Sequence, residues 1–304
     1  MFKRILVPLD GSELAERALP AALAIARANA AEVILLRSMV MVHTMLPEFA
    51  GEYDWRWPDM SLESAEHEVG EYLESIVQAY RQPNITFLKR ILEGDEASAI
   101  QDTAHQDEVD LIVMTSHGRS GVKRWLLGSI TERTLHTALC PVLVVRAPET
   151  IKHVVIALDG SEVAELALEP GMLAARSLGA HVTLLHVSQP DSGSAQEAIP
   201  LEWLERETGR YVMQSTRERA ERYLAGIARR YVQQGIEVDT AVPSGSVVDN
   251  ILSFIENEDV DLVAMSTHAR TSLRRWVYGS NTSKVLRGST CSMLVIRQAD
   301  SALN

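Results

Sequence analysis

The sequence predicts an α/β protein of two tandem modules, each a doubly wound, open parallel sheet of five strands. Three observations carry this. Residues 3–40, KRILVPLDGSELAERALPAALAIARANAAEVILLRSMV, return without a gap as residues 152–189, KHVVIALDGSEVAELALEPGMLAARSLGAHVTLLHVSQ, at an offset of 149. The run Val109–His117 returns as Val260–His268 at an offset of 151, so the second copy gained two residues in its middle. Within each copy, short and nearly continuous apolar runs alternate with helix-length amphipathic ones, as parallel strands buried under helices on both faces require. The modules are expected at 1–148 and 149–304, joined near Ala147-Pro148-Glu149-Thr150.

The elements follow in order. Ile5–Leu9 is an apolar strand bounded by Asp10-Gly11, and Ser12 can cap a helix running to about Asn29. Glu32–Arg37 is the second strand. His43–Met60 reads as irregular and aromatic, with Tyr53, Trp55 and Trp57 as cover for the core or an interface. Ser61–Tyr80 has helical periodicity, Ile85–Ile91 is the third strand, and Glu93-Gly94-Asp95-Glu96 leads into a helix through His105. Leu111–Thr115 and Val142–Arg146 complete the five strands. The second module repeats the scheme, with Gln189–Tyr211 irregular, a helix from about Thr208 to Gln233, and Gly245 in the place of Gly94.

Composition narrows the function. A net charge of −12 argues against non-specific nucleic-acid binding, which needs a basic face. No apolar run reaches the roughly 20 residues of a membrane helix, and Met1-Phe-Lys-Arg reads straight into a strand, so no membrane partner and a cytoplasmic setting are expected. Cys140 and Cys291 hold the same place in the two copies and read as small buried thiols.

Chemistry is expected at the carboxyl ends of the strands, where ligands of such sheets bind. After the fourth strand, Ser116–Ser129 reads SHGRSGVKRWLLGS. Gly118 lets backbone approach a phosphate, and Gly128-Ser129 opens a helix whose N-terminus favours an anion. Ser129-Ile130-Thr131-Glu132 also has the form of a capping box, so Ser129 has a purely structural reading too. Asp10 has two readings as well: a carboxylate for a ribose hydroxyl or a phosphate-borne metal, or an Asp-Gly-Ser turn into the first helix. Lys123 and Arg124 read as an exposed basic face, and His117 and His268 as hydrogen-bonding groups within their loops. There is no G-x-x-x-x-G-K-[ST], no G-x-G-x-x-G after the first strand, no Ser-His-Asp set and no paired carboxylates.

At these residues the chain resembles the universal stress protein family in its tandem form. Nucleotide-binding members carry G-x2-G-x9-G-[ST] after strand four. The first module gives Thr115-x2-Gly118-x9-Gly128-Ser129, and the second Ser266-x2-Ala269-x9-Gly279-Ser280. The resemblance implies a Rossmann-like sheet of the adenine nucleotide alpha hydrolase type, order 3-2-1-4-5. It implies an adenine nucleotide, ATP with Mg as companion and AMP or ADP as alternatives, lying on Pro8, Leu9 and Asp10. Adenine would lie near Ser38 and Met114, with Thr115 beside it and the phosphates on Gly118, Gly128, Ser129, Ile130 and Thr131. A degenerate second site would comprise Asp159, Val187, Met265, Ala269, Gly279 and Ser280, with Ala157 in the place of Pro8. Association through the last strands, Val142–Arg146 and Met293–Arg297, is implied within the chain, and a homodimer of chains beyond it. The expected function is a stress-response or signalling protein that binds nucleotide without robust catalysis. A nucleotide-free interaction scaffold and a slow ATPase are the alternatives.

Overall fold

A computed structural model of the chain describes residues 1–39, 62–116, 127–146, 150–189, 201–267 and 280–298, with the backbone alone over 62–63 and 201–215. The first module contains β1 (Arg4–Pro8), α1 (Glu13–Glu16), α2 (Leu19–Asn29), β2 (Glu32–Met39), α3 (Leu62–Tyr80), β3 (Thr86–Glu93), α4 (Glu96–Gln106), β4 (Leu111–Thr115), α5 (Ser129–Thr137) and β5 (Val142–Val145). The second contains β6 (His153–Ala157), α6 (Glu162–Glu165), α7 (Leu168–Leu178), β7 (His181–Leu185), α8 (Leu201–Val232), β8 (Val238–Ala241), α9 (Val247–Asn257), β9 (Leu262–Thr267), α10 (Ser280–Gly288) and β10 (Ser292–Arg297). The segment with Tyr53, Trp55 and Trp57 lies outside the described residues.

Both halves show the expected strand order, and the two sheets are continuous: β3-β2-β1-β4-β5-β10-β9-β6-β7-β8. All neighbours pair parallel except at the centre, where β10 runs antiparallel to β5 with Met293 opposite Val144 and Val295 opposite Val142. Val142–Val145 is buried along its whole length. Left as an edge it would offer unpaired backbone and apolar side chains to any passing strand, and pairing with its repeat removes that liability. The outer edges are β3 and β8. On β3, Lys89 is tied to Glu74 at 2.6 Å and Arg90 to Asp107 at 2.9 Å; charged edge residues of this kind discourage further pairing.

Alternation along the strands sends side chains to two cores. Ile5, Val7, Val33 and Leu35 pack with α2 and α3, whereas Leu6, Ile34, Leu36 and Met114 pack with α4 and α5. Each core runs on into the second module. Asn29 Nδ2 donates to Ser177 Oγ at 2.8 Å, linking the ends of α2 and α7. Among the described residues no helix is long and apolar enough to cross a membrane.

Two helical expectations change. The single helix expected from Ser12 to Asn29 is broken between α1 and α2, because Pro20 has no N–H with which to continue the helix and belongs in a first turn. The second copy breaks at the same place, with Pro170 in the first turn of α7. The helix expected from Thr208 begins at Leu201, so part of the segment read as irregular is helical. Leu201-Glu-Trp-Leu-Glu-Arg-Glu is made of good helix formers.

The modules are fastened by arginines at the ends of their last strands. Arg146 Nη1 donates to the Ser289 carbonyl at 2.7 Å and Nη2 to the Leu286 carbonyl at 2.6 Å, closing the C-terminus of α10. Arg297 Nη1 donates to the His136 carbonyl at 2.6 Å at the C-terminus of α5. Each module thus supplies a cation to the helix end of the other, where carbonyls lack intrahelical partners. Arg287 and Glu132 add an ion pair across the join at 2.8 Å.

At the opposite end of the sheet the copies differ in a way that makes stability pH-dependent. Arg4 pairs with Glu32 at 4.0 Å and donates to the Asp107 carbonyl at 2.9 Å. Their counterparts His153 and His181 stack with ring centroids 4.0 Å apart. His153 is bound by the Glu258 carbonyl and Thr183 Oγ1, each at 2.9 Å. Burial lowers the His153 pKa, the neighbouring His181 lowers it further, and the Glu258 carbonyl, Asp261 and Glu258 oppose the shift. Burial likewise lowers His136 and His186. Unfolded histidines titrate near 6.5, so on acidification the unfolded chain takes up protons that the folded chain resists. The stabilisation is complete above about pH 6.5 and is lost as pH falls toward the depressed folded values. Urea midpoints measured from pH 7.5 down to 5 are expected to fall through that window. His153→Asn is expected to flatten the fall, and an unchanged profile would refute the assignment to this residue.

Candidate functional site

The first cleft opens at the carboxyl ends of β1, β2 and β4, between the N-termini of α4 and α5. Pro8, Leu9, Asp10, Ser38, Met114, Thr115, Ile130 and Thr131 of the expected residues line it, joined by Ala15, Leu36, Glu96 and Ile100. Leu9, Leu36, Ile100 and Met114 give it an apolar slot. Gly128 and Ser129 stand at the start of α5 beside Ile130 and Thr131. Gly118, Lys123, Arg124 and His117 lie outside the described residues, as do Ala269, Gly279 and His268 of the second copy.

The chain builds this geometry from short local bonds. Asp10 Oδ1 accepts from the Ser12 N–H at 2.9 Å and the Ser12 hydroxyl at 2.6 Å, and Ser12 Oγ in turn accepts from the Ala15 N–H at 3.1 Å. The turn reading of Asp10 is therefore realised, and Ser12 caps α1 as expected. Gly11 has φ +80°, a left-handed conformation that favours glycine, and the Arg37 guanidinium lies against its open face. Arg37 lies over the Tyr72 ring at 4.9 Å, and Tyr72 Oη donates to Glu16 at 2.9 Å. Burial, then the Glu16 carboxylate, raise the Tyr72 pKa, so the hydroxyl stays a donor.

The capping-box reading of Ser129 fails. Gly128 is the N-cap and brings no side chain to the helix end, and Ser129 is the first helical residue. Glu132 turns instead to Arg287 of the other module. The loop ends are pinned by Gly128 N–H to the Ser116 carbonyl at 2.8 Å and Thr131 Oγ1 to the Thr115 carbonyl at 3.0 Å. Thr115 is buried at the end of its strand. The mouth is also fastened: Arg133 on α5 forms a bidentate pair with Asp95, the N-cap of α4, one arm at 2.7 Å. That bond, with the Ser98 backbone N–H, lowers the Asp95 pKa to about 2.

The second cleft is built from the equivalent places. Asp159, Val187, Met265 and Ser280 line it, and Asp159 Oδ1 accepts from the Ser161 N–H at 2.9 Å. Thr282 Oγ1 repeats the Thr131 bond, to the Ser266 carbonyl at 3.0 Å. Water-sized molecules can occupy about 590 Å³ of it, against about 60 Å³ in the first. The cysteines lie away from both. They are free, with burial pushing the Cys140 thiol up to about 12 and the Cys291 thiol up to about 11, and such thiols are inert. Among the described residues no group of three or more His, Cys, Asp or Glu is placed to hold a metal.

A family model, the universal stress protein family, matches this chain twice, over residues 1–146 and 150–297. The chain belongs to the universal stress protein family. A universal stress protein of Mycolicibacterium smegmatis is 26% identical over 301 residues, 96% of each chain, so the tandem arrangement is shared along its length. Universal stress protein MJ0531 of Methanocaldococcus jannaschii is 33% identical over 149 residues, 49% of this chain and 85% of that protein. The crystal structure of a universal stress protein from Archaeoglobus fulgidus superposes with a TM-score of 0.70 over 97% of this chain and 98% of that one, at 22% identity, and so shares the fold.

Sequence reasoning missed Arg37, which lies against Gly11, and Tyr72, whose ring it covers, next to the Asp10 turn. The signal lay in the aligned repeats: Arg37 faces His186, whereas Tyr72 recurs as Tyr223 and Glu16 as Glu165. Tyr223 Oη donates to Glu165 at 2.9 Å, repeating the first-module bond.

Proposed function

We propose that this universal stress protein binds an adenine nucleotide in its first cleft and acts as a ligand-responsive binding protein without robust turnover. The observation that carries the reading is the cleft itself. It combines an apolar slot for a planar ring with a carboxylate at the end of β1 and a helix N-terminus at its far side. The slot would take the ring, and the phosphates would run outward along the start of α5. Asp10, on the wall of the cleft, would accept from a ribose hydroxyl. One of its oxygens already accepts two bonds from Ser12, which suits a fixed acceptor better than a base that must gain and lose a proton. ATP is the proposed ligand, with Mg carried by the phosphates when present.

A ligand that binds only the folded chain raises its melting temperature by mass action. ATP at a hundredfold excess over its Kd is expected to add about 2.7 kcal/mol of stability. Mass spectrometry of small molecules released from the purified chain is expected to find adenine nucleotide. Absence of both a melting shift and a released nucleotide would remove the proposal. A homodimer of this chain would have to form away from β5 and β10, whose edges are consumed within the chain.

A further inference from the structure

The long helices of the two modules are copies of one another with their outward charge reversed. At the offset of 151 that sets Tyr72 on Tyr223, the buried Val69, Leu73 and Ile76 of α3 fall on the buried Ala220, Leu224 and Ile227 of α8. On the outward side Glu66, Glu68 and Glu71 fall on Arg217, Arg219 and Arg222, and Gln78 and Ala79 on Arg229 and Arg230. All of these outward positions are exposed. From Ser64 to Tyr80, α3 carries four glutamates and neither lysine nor arginine, whereas α8 from Thr216 to Val232 carries five arginines against two glutamates, so the faces are acidic and basic respectively.

Neither face is neutralised within the chain. α3 packs on β2 and β3, and α8 on β7 and β8, at the two ends of the ten-stranded sheet. At about 4.8 Å between neighbouring strands the two helices stand roughly 40 Å apart. That is well beyond the ~10 Å Debye length at 0.1 M salt, so their opposite charges do nothing for one another inside one molecule. Locally, Arg217 is tied to Glu221 at 2.8 Å, Arg222 Nε donates to the Glu218 carbonyl of its own helix at 3.2 Å, and Glu71 lies 3.4 Å from His67. Glu66, Glu68, Arg219, Arg229 and Arg230 form no ion pair among the described residues. Like charges three residues apart weaken an isolated helix, and both helices hold such a pair, Glu68 with Glu71 and Arg219 with Arg222. Opposite charge brought from outside would relieve both.

The fold puts the two faces on one side of the molecule. α3, α2, α7 and α8 cover the same face of the sheet, with α3 and α8 as the ends of that layer. In its middle, α2 and α7 meet through Asn29 and Ser177. There Ala24, Ala28, Leu166 and Leu173 are partly or wholly open to solvent, Leu166 by 41%. An apolar middle between charged ends is the anatomy of an interface. A two-fold axis along the helices, midway between α2 and α7, lays this layer on its own copy with each α3 on the other chain's α8. A two-fold axis across the helices would set α3 on α3 and α8 on α8, like charge on like. The charge reversal selects the first arrangement and opposes the second.

We propose that this four-helix face takes a second copy of the chain, the glutamates of α3 against the arginines of α8, with that contact made twice in a closed dimer. The proposal is independent of what either cleft binds, and the surface it uses lies away from β5 and β10.

Sedimentation velocity on the full chain tests it. In 0.1 M salt, where the overall charge of −12 is screened beyond about 10 Å, the unaltered chain is expected to form a dimer at micromolar concentration. In 1 M salt its Kd is expected to weaken tenfold or more. Glu66→Arg with Glu68→Arg and Glu71→Arg is expected to give a monomer, and so is Arg219→Glu with Arg222→Glu and Arg229→Glu. Mixed one to one, these two variants are expected to dimerise again, because both helices are basic in one and acidic in the other. A milder variant, Glu68→Gln with Glu71→Gln, serves if a triple variant does not fold, and is expected to weaken the dimer about tenfold. An unaltered chain that stays monomeric, or a dimer whose Kd the milder variant leaves unchanged, would overturn the proposal. So would folded triple variants that stay monomeric when mixed, or oligomers that keep growing with concentration, as a head-to-tail contact gives.

Discussion

Arg146→Ala is expected to lower the stability of the chain by about 3 kcal/mol, the range for losing hydrogen bonds from a charged donor and leaving their buried acceptors unpaired. The guanidinium holds the Ser289 and Leu286 carbonyls and approaches Ser289 Oγ at 3.1 Å, all at the C-terminus of α10. Burial lowers its pKa, so the site already works against the charge and holds it through these bonds. Alanine would leave both carbonyls without a partner in a place water reaches poorly. Lysine is not expected to rescue, because a single ammonium cannot span two carbonyls as the planar fork does. Arg297→Ala removes the bond to the His136 carbonyl and is expected to cost about 1–2 kcal/mol. Urea midpoints of the three variants check the order. Equal losses for Arg146→Ala and Arg297→Ala would show that the two joints carry the same load.

The strands were legible because parallel strands buried on both faces must be apolar throughout, and Leu111–Thr115 and Val142–Val145 are; the duplication was legible in the repeat, and the strand order came only with the family resemblance. Pairing of the last strands was implied by the family resemblance, and it covers two apolar edges in one chain. What escaped depends on partners far away in sequence. Ser129-x-x-Glu132 reads as a capping box only while Glu132 is assumed to act locally; its partner Arg287 is 155 residues on. Arg146 and Arg297 looked like polar strand ends, and nothing near them in sequence announces the helix each one closes. Arg37 was passed over as a polar residue within a strand. Its role depends on the close approach of Gly11 and Tyr72, which only the folded chain supplies.

Asp10→Asn separates the two readings of Asp10 that the sequence left open. An asparagine side-chain oxygen can accept from the Ser12 N–H and hydroxyl as the carboxylate does, so the turn into α1 is expected to survive, with stability changed by no more than about 0.5 kcal/mol. The negative charge is lost, and with it a charge-assisted hydrogen bond to a ribose hydroxyl worth about 1.5–3 kcal/mol. ATP affinity is therefore expected to fall by about tenfold to a hundredfold while the melting temperature without ligand holds. Asp159→Asn is the internal control. It stands in the same turn of the second module, bonded to Ser161 as Asp10 is to Ser12, and is expected to leave ATP affinity unchanged. An Asp10→Asn chain that binds ATP normally would confine Asp10 to turn duty. Adenine recognition would then rest on the Leu9, Leu36 and Met114 slot and phosphate recognition on the start of α5. Loss of ATP affinity in Asp159→Asn, with Asp10→Asn unaffected, would move the nucleotide to the second module, where the larger cleft lies.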